Sequence, residues 1–220
     1  MRDSSFPFGA ATLLAFDLIL FAPLFATGGV FSSHDFVRAQ HPWRMSPGGV
    51  LEAENRLLSD EAASGKTTLV RLRDFPRGYF WNPWVSSGSI GPFLLAQGFL
   101  SPFAALPALL LPEALIETGI LFLKFHVAFV AMYFFLRSRR FSDLAAAAGA
   151  AAWAFSTAQT LWGLWMHTSV SVTYPLLLMA VDSAFGEQRS ARAVRFAALS
   201  ILLCLSGGFP HWILYGALAA

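Results

Sequence analysis

The sequence predicts an all-α integral membrane protein, a polytopic helical bundle of about five transmembrane helices with one large extracytoplasmic loop after the first. Three observations predict it. Hydrophobic residues make up 56% of the 220 and charged residues only 13%, against roughly a quarter charged in soluble domains. No Asp, Glu, Lys or Arg occurs from Leu144 to Val181 or from Phe196 to Ala220, and a bilayer core requires about 20 apolar residues per helix. Among these oily segments lies a polar stretch, Ser32 to Gly78, followed by Trp81-Asn82-Pro83-Trp84. A soluble helical core is the alternative that such charge segregation disfavours. The net charge of +2 is no nucleic-acid signature, because the basic residues sit at helix ends and in the loop. Cys204 is the one cysteine, so it reads as packing and forms no internal disulfide.

The first span runs from about Phe8 to Phe31, with Met1-Arg2 on the cytoplasmic side. A cleaved signal peptide is the rival reading, and Asp17 in mid-span with a single basic residue ahead makes a poor one. Residues 32–112 form the extracytoplasmic loop. Within it, Ile90 to Leu111 is charge-free but carries Pro92, Pro102 and Pro107. Prolines interrupt a helix, and broken backbone facing lipid is costly, so this segment is expected to be an interfacial or re-entrant hairpin. Four further spans follow over 113–220: Glu113 to Leu136, Leu144 to Trp165, His167 to Ala184, and Phe196 to Ala220. Together they read as the N-terminal part of one transmembrane domain, and as a piece of a longer membrane protein.

Charge asymmetry orients the spans. The turns with Arg137, Arg139 and Arg140 and with Arg189, Arg192 and Arg195 are short and basic, whereas Trp165-Met166-His167-Thr168 carries no Lys or Arg. Basic short loops mark the cytoplasmic side, which places the N-terminus inside and residues 32–112 outside. The loop's seven basic residues are offset by six acidic ones, so it weighs little in that decision.

Several residues could carry chemistry. The loop holds Asp35, Glu52, Glu54, Asp60, Glu61 and Asp74, and among its cations Arg71, Arg73 and Arg77. A carboxylate beside a partly dry cavity can serve as general base for a hydroxyl, and arginines can hold phosphate through paired hydrogen bonds. A merely solvated loop is the plainer reading. Gly65-Lys66-Thr67 fails as a phosphate-binding loop, because Asp60 stands where its first glycine belongs. His34 and His41 are a loose pair without zinc spacing. Within the spans, Asp17, Lys124, His126 and His211 are polar groups that hydrocarbon penalises, serving as interhelical contacts or as parts of a site. His167 lies at the outer end of its helix, level with the loop.

The stretches NRLLSDEA and RLRDFPRGYFWNPWVSSGSIGPFLLAQGFLSPFAAL resemble the first extracytoplasmic loop of bacterial YfhO-type membrane proteins, which belong with the polytopic GT-C glycosyltransferases. Asn55, Leu57 and Asp60 match that family's first element approximately. Trp81-Asn82-Pro83, Gly88, Gln97 and Pro102 follow in order, and GGFPHWILYG and HTSVSVTYPLLL resemble its later helices. The chain departs at Glu61-Ala62-Ala63-Ser64-Gly65 and at Gly88-Ser89-Ile90-Gly91-Pro92. The resemblance implies a membrane enzyme of the bacterial inner membrane that moves a sugar from a polyprenyl-phosphate donor to a glycan, lipid or protein acceptor of the envelope. It implies Asp60, then Asp35, as the catalytic carboxylate. Arg71, Arg73, Arg77, Asn82, Trp84, Gln97, His167 and His211 would bind substrate. A divalent metal is compatible with this chemistry, and no ligand spacing requires one. A transporter or flippase component using Asp17, Lys124 and His211, or a non-catalytic scaffold, is the alternative.

Overall fold

The computed structural model describes residues 7–33, 35, 38–40, 43–45, 69–70, 72–74, 81–82, 89–90, 98, 101–185, 191–208, 214 and 218. These residues are almost entirely helical. Two are apolar and long enough to cross a membrane among them: Phe8–Thr27, of mean hydropathy 2.0, and Glu113–Ser138, of mean hydropathy 1.9.

Helix α1 (Pro7–Leu20) continues into α2 (Ala22–Thr27) through Phe21. Pro23 has no N–H to give to the carbonyl four residues back, so the ladder lacks one bond there, while Phe21 N still donates to Asp17 O and Phe25 N to Phe21 O. It stops at Thr27, four residues before the expected Phe31, because Gly28 adopts a left-handed φ of 67° and closes the last turn. Leu14, Leu18, Ile19 and Phe25 are exposed, an apolar surface of the kind that lipid covers.

The Trp81-Asn82 pair forms strand β1 (Trp81–Asn82), antiparallel to β2 (Ser89–Ile90), with Trp81 opposite Ile90. Helix α3 (Pro102–Leu110) contains Pro107. Its nine residues reach roughly 14 Å, less than half of a hydrocarbon core about 30 Å thick.

Helix α4 (Ile116–Ser138) is the axis of the bundle, entered through a 3-10 turn at Glu113–Leu115. Phe141 N donates to Leu136 O and Arg140 N to Arg137 O, which caps the helix with Arg140 left-handed at φ 65°. Helix α5 (Asp143–Ala154) starts on the Ser142 cap and buries Ala146, Ala147, Ala150 and Ala154. Small side chains let two backbones approach closely, and α5 lies along α4 on that face.

The remaining spans depart from expectation. Leu144 to Trp165 is broken at Phe155, and Ser156 caps a separate short helix, α6 (Thr157–Leu161), by accepting from Gln159 N. His167 to Ala184 is divided into α7 (Met166–Ser171) and α8 (Tyr174–Phe185). Pro175, in the first turn of α8, marks a new helix start rather than a continuation. Helix α9 (Ala191–Ser206) begins before the expected Phe196 and stops at Gly207. Such breaks are tolerated in a membrane where protein, not lipid, surrounds the freed backbone.

Two buried clusters divide the bundle along its length. Phe129, Tyr133, Ala146, Ala150 and Val172 belong to one. The other joins Phe21, Leu69, Leu72, Ala104, Ile116, Leu121, Leu164 and Met166. The Arg139 guanidinium meets Asp182 at 2.5 Å, so the end of α4 lies beside the end of α8.

Candidate functional site

A cavity of about 530 Å³ opens where α5, α6, α7 and α8 converge, walled by Trp153, Gln159, Trp162, His167, Ser171 and Tyr174 among others. Volumes of this order accept small molecules. The site is built by the turn between α6 and α7. Gly163 occupies it because a Cβ there would lie 2.5 Å from Leu121 Cδ2 and 2.8 Å from Gln159 O. Trp162 and Trp165 meet edge to face at 5.5 Å, and the His167 ring lies 5.5 and 5.7 Å from them.

Lys124 holds that turn from α4. It is 2% exposed, and its ammonium donates to Gly163 O at 2.9 Å, Trp165 O at 2.8 Å and Thr168 Oγ1 at 2.9 Å. Two carbonyls of the turn between α6 and α7 thus share one buried ammonium. Thr168 Oγ1 in turn lies within bonding distance of Gly163 O and Trp165 O. Behind it, Gln159 Nε2 donates to Ser171 Oγ at 2.9 Å, and Ser171 Oγ to Thr168 O at 3.2 Å.

A second polar group joins the segment after α2 to the start of α4. The carboxylate of Glu117, 4% exposed, accepts from Ser33 N and Ser33 Oγ. Phe31 N donates to Thr118 Oγ1 at 2.9 Å. Asp35 follows two residues later, half-buried.

A third is the Asp17–His126 pair between α1 and α4. His126 Nδ1 lies 2.7 Å from Phe122 O, and Nε2 lies 3.2 Å from both carboxylate oxygens of Asp17. A carbonyl only accepts, so Nδ1 carries a proton. Lys124 and Asp17 thus serve different contacts, and among the described residues Glu117 meets Ser33.

Of the residues singled out in sequence, His167 lines the cavity. Arg73 is tied to the end of α3, donating from Nε to Ala108 O at 2.6 Å and from its terminal nitrogen to Leu111 O. Of five guanidinium N–H groups, two are so engaged. Asn82 is placed by its backbone in β1. Asp60, Arg71, Arg77, Trp84, Gln97 and His211 lie outside the described residues. Residues adjoining three of the candidates share one core: Leu72 beside Arg73, Met166 beside His167, and Phe31 shortly before Asp35. Sequence reasoning passed over Gln159, Ser171 and Trp153. Their signal was a run of uncharged polar residues, Ser156, Thr157, Gln159 and Thr160, inside a charge-free apolar segment. Among the described residues no three His, Cys, Asp or Glu side chains gather as ligands of one metal ion.

No family model, curated protein or solved structure matches the chain.

Proposed function

We propose that this chain belongs to a polytopic, GT-C-like glycosyltransferase of the YfhO type, transferring a sugar from a polyprenyl-phosphate donor to an acceptor of the bacterial envelope. The observation that carries the reading is the convergence of loop and cavity. Leu69 and Leu72 from the polar loop, α3, the first half of α4 and the Leu164–Met166 turn share one core, beside a cavity walled by aromatic and uncharged polar side chains. That turn carries no cation, and the Arg137–Arg140 turn lies toward the other end of α4, which supports a cytoplasmic placement for those arginines and an outward one for the cavity.

The chemistry balances with few groups. An acceptor hydroxyl loses its proton to a loop carboxylate, Asp60 or in second place Asp35, and its oxygen attacks the anomeric carbon. The bond from that carbon to the phosphate oxygen breaks, and the polyprenyl phosphate leaves with the electron pair and with inversion. Arg71, Arg73 and Arg77 meet the charge that grows on the leaving group. Asn82, Trp84, Gln97, His167 and His211 orient the substrates, and membrane lipids surround the whole. A divalent metal, if bound, would supply charge to neutralise the departing phosphate.

The test is sugar transfer from labelled polyprenyl-phosphate donors by the purified protein, expressed from its own gene, as wild type and Asp60→Asn. Loss of transfer with unchanged folding supports Asp60 as base; equal transfer moves that role to Asp35. No transfer from any donor removes the reading. One observation favours a transporter instead, the Asp17–His126 pair between the two helices that are long and apolar enough to cross a membrane. Asp17→Asn then abolishes transport, whereas a transferase keeps its turnover.

A further inference from the structure

A groove of about 260 Å³ runs between α3 and the first half of α4, walled by Leu106, Pro107, Leu110, Leu111, Phe122 and Leu123. It passes Gly119, which lets α3 come close: a Cβ there would lie 2.4 Å from Leu111 Cδ1 and 3.2 Å from Pro107 Cβ. Leu106 is 47% exposed, Leu110 75% and Phe122 38%, so the groove opens at the surface. On α4 it spans Gly119 to Leu123, within about 10 Å of rise from Ile116. That is the first third of a hydrocarbon core roughly 30 Å thick.

A charged group stands at its rim. Arg73 donates to the carbonyls of Ala108 and Leu111, and Leu111 is itself part of the groove wall. The plainer role of Arg73 is to cap the end of α3, where a cation suits the helix dipole. That role uses two of the five guanidinium N–H groups and anchors this exposed side chain beside the apolar channel. Wall and cation together select the ligand. A helix about 10 Å across is too wide for the volume, whereas a single hydrocarbon chain fits it. A guanidinium pairs with phosphate through parallel hydrogen bonds. We propose that the groove and Arg73 bind one anionic phospholipid, an acyl chain lying against Leu106, Leu110, Phe122 and Leu123 and the phosphate meeting the guanidinium. A polyprenyl phosphate carries similar chemistry, but phospholipid surrounds a membrane protein as its solvent, and mass action favours the abundant ligand. The inference goes beyond the transferase reading and requires only that α4 crosses the membrane. With a lipid on Arg73, the departing phosphate of that reading falls to Arg71 and Arg77.

The experiment takes the purified protein, delipidated in detergent, and counts retained lipids by native mass spectrometry. The probes are phosphatidylglycerol, phosphatidylcholine and diacylglycerol with the same acyl chains, and undecaprenyl phosphate. One phosphatidylglycerol is retained saturably, about tenfold more tightly than phosphatidylcholine, and diacylglycerol is retained more weakly still. Arg73→Gln, which keeps an amide donor for the α3 carbonyls, lowers phosphatidylglycerol to the affinity of phosphatidylcholine, as loss of one charge-assisted hydrogen bond implies. Arg73→Lys, which keeps the charge, keeps the preference. Leu106→Trp, which fills the groove from an exposed position, removes the tight site for every lipid. Equal retention of phosphatidylglycerol and phosphatidylcholine by the wild type would overturn the proposal, as would retention unaltered in Arg73→Gln or in Leu106→Trp. Undecaprenyl phosphate displacing phosphatidylglycerol mole for mole at matched concentration gives the groove to the sugar carrier and overturns it equally.

Discussion

Replacing Gly98 by alanine strains the bundle at one point whose cost follows from the geometry. Gly98 has φ +73°, and a Cβ built on it would lie 2.0 Å from Gly207 O and 2.6 Å from Gly207 C. The left-handed backbone alone costs an alanine about 1 kcal/mol. The clash is with main chain, which cannot rotate aside, and the two strands of backbone must part by about 1 Å to restore ordinary contact. Gly207 has little room to retreat, since a Cβ there would already lie 2.6 Å from Val170 Cγ2 and 3.0 Å from Val170 N. Overpacking of this kind costs roughly 1–3 kcal/mol, with backbone clashes toward the upper end, so the total is about 3–4 kcal/mol. Gly28 supplies the control. Its φ is +67°, but nothing lies within 4 Å of the added atom, so Gly28→Ala costs only the backbone term. Thermal unfolding in one detergent, followed by tryptophan fluorescence, compares the two. For a chain of this size about 2–3 kcal/mol of difference corresponds to roughly 4–12 °C. Equal shifts for the two variants would refute the close approach of Gly98 to the break after α9.

Three further outcomes are expected. Arg140 sits left-handed at the end of α4, so Arg140→Gly stabilises the protein by about 0.5–1 kcal/mol in the same unfolding assay. Lys124→Met removes a donor from the Gly163 and Trp165 carbonyls, a loss of about 1–3 kcal/mol, but it also relieves the burial of an ammonium. Stability changes little, while the near-ultraviolet dichroism of the Trp162–Trp165 pair falls; a preserved signal would contradict the clamp. Glu117→Ala orphans Ser33 N–H and O–H, costs about 1–3 kcal/mol, and accelerates trypsin cleavage after the exposed Arg38.

The architecture was legible where the physics is local. Charge-free runs and arginine turns marked the apolar segments and their ends, and Ser142 beside Asp143 reads as a helix start. The breaks at Phe155 and before Tyr174 were not, because hydropathy is blind to backbone continuity. Ser156 and Thr173 look like ordinary members of an oily run. The early stop at Gly28 was not legible either, because it depends on a left-handed dihedral there. The site was legible in one residue, His167, whose imidazole stands out in apolar sequence. Gln159 and Ser171 carry no charge and did not. Lys124 drew attention as a buried cation, yet its acceptors lie 39 to 44 residues away. Glu117 meets Ser33 over 84 residues, and Asp17 meets His126 over 109. Pairings of that range are fixed by packing rather than by spacing.

The central claim is that the cavity turn faces outward and the arginine turns inward across a membrane. It is tested most directly by single cysteines placed at exposed positions, Thr157→Cys on α6 and Ser138→Cys at the end of α4, in a Cys204→Ala background. Intact cells treated with a membrane-impermeant maleimide should label Thr157→Cys at once and Ser138→Cys only after permeabilisation. Labelling of both from the same side would contradict the account.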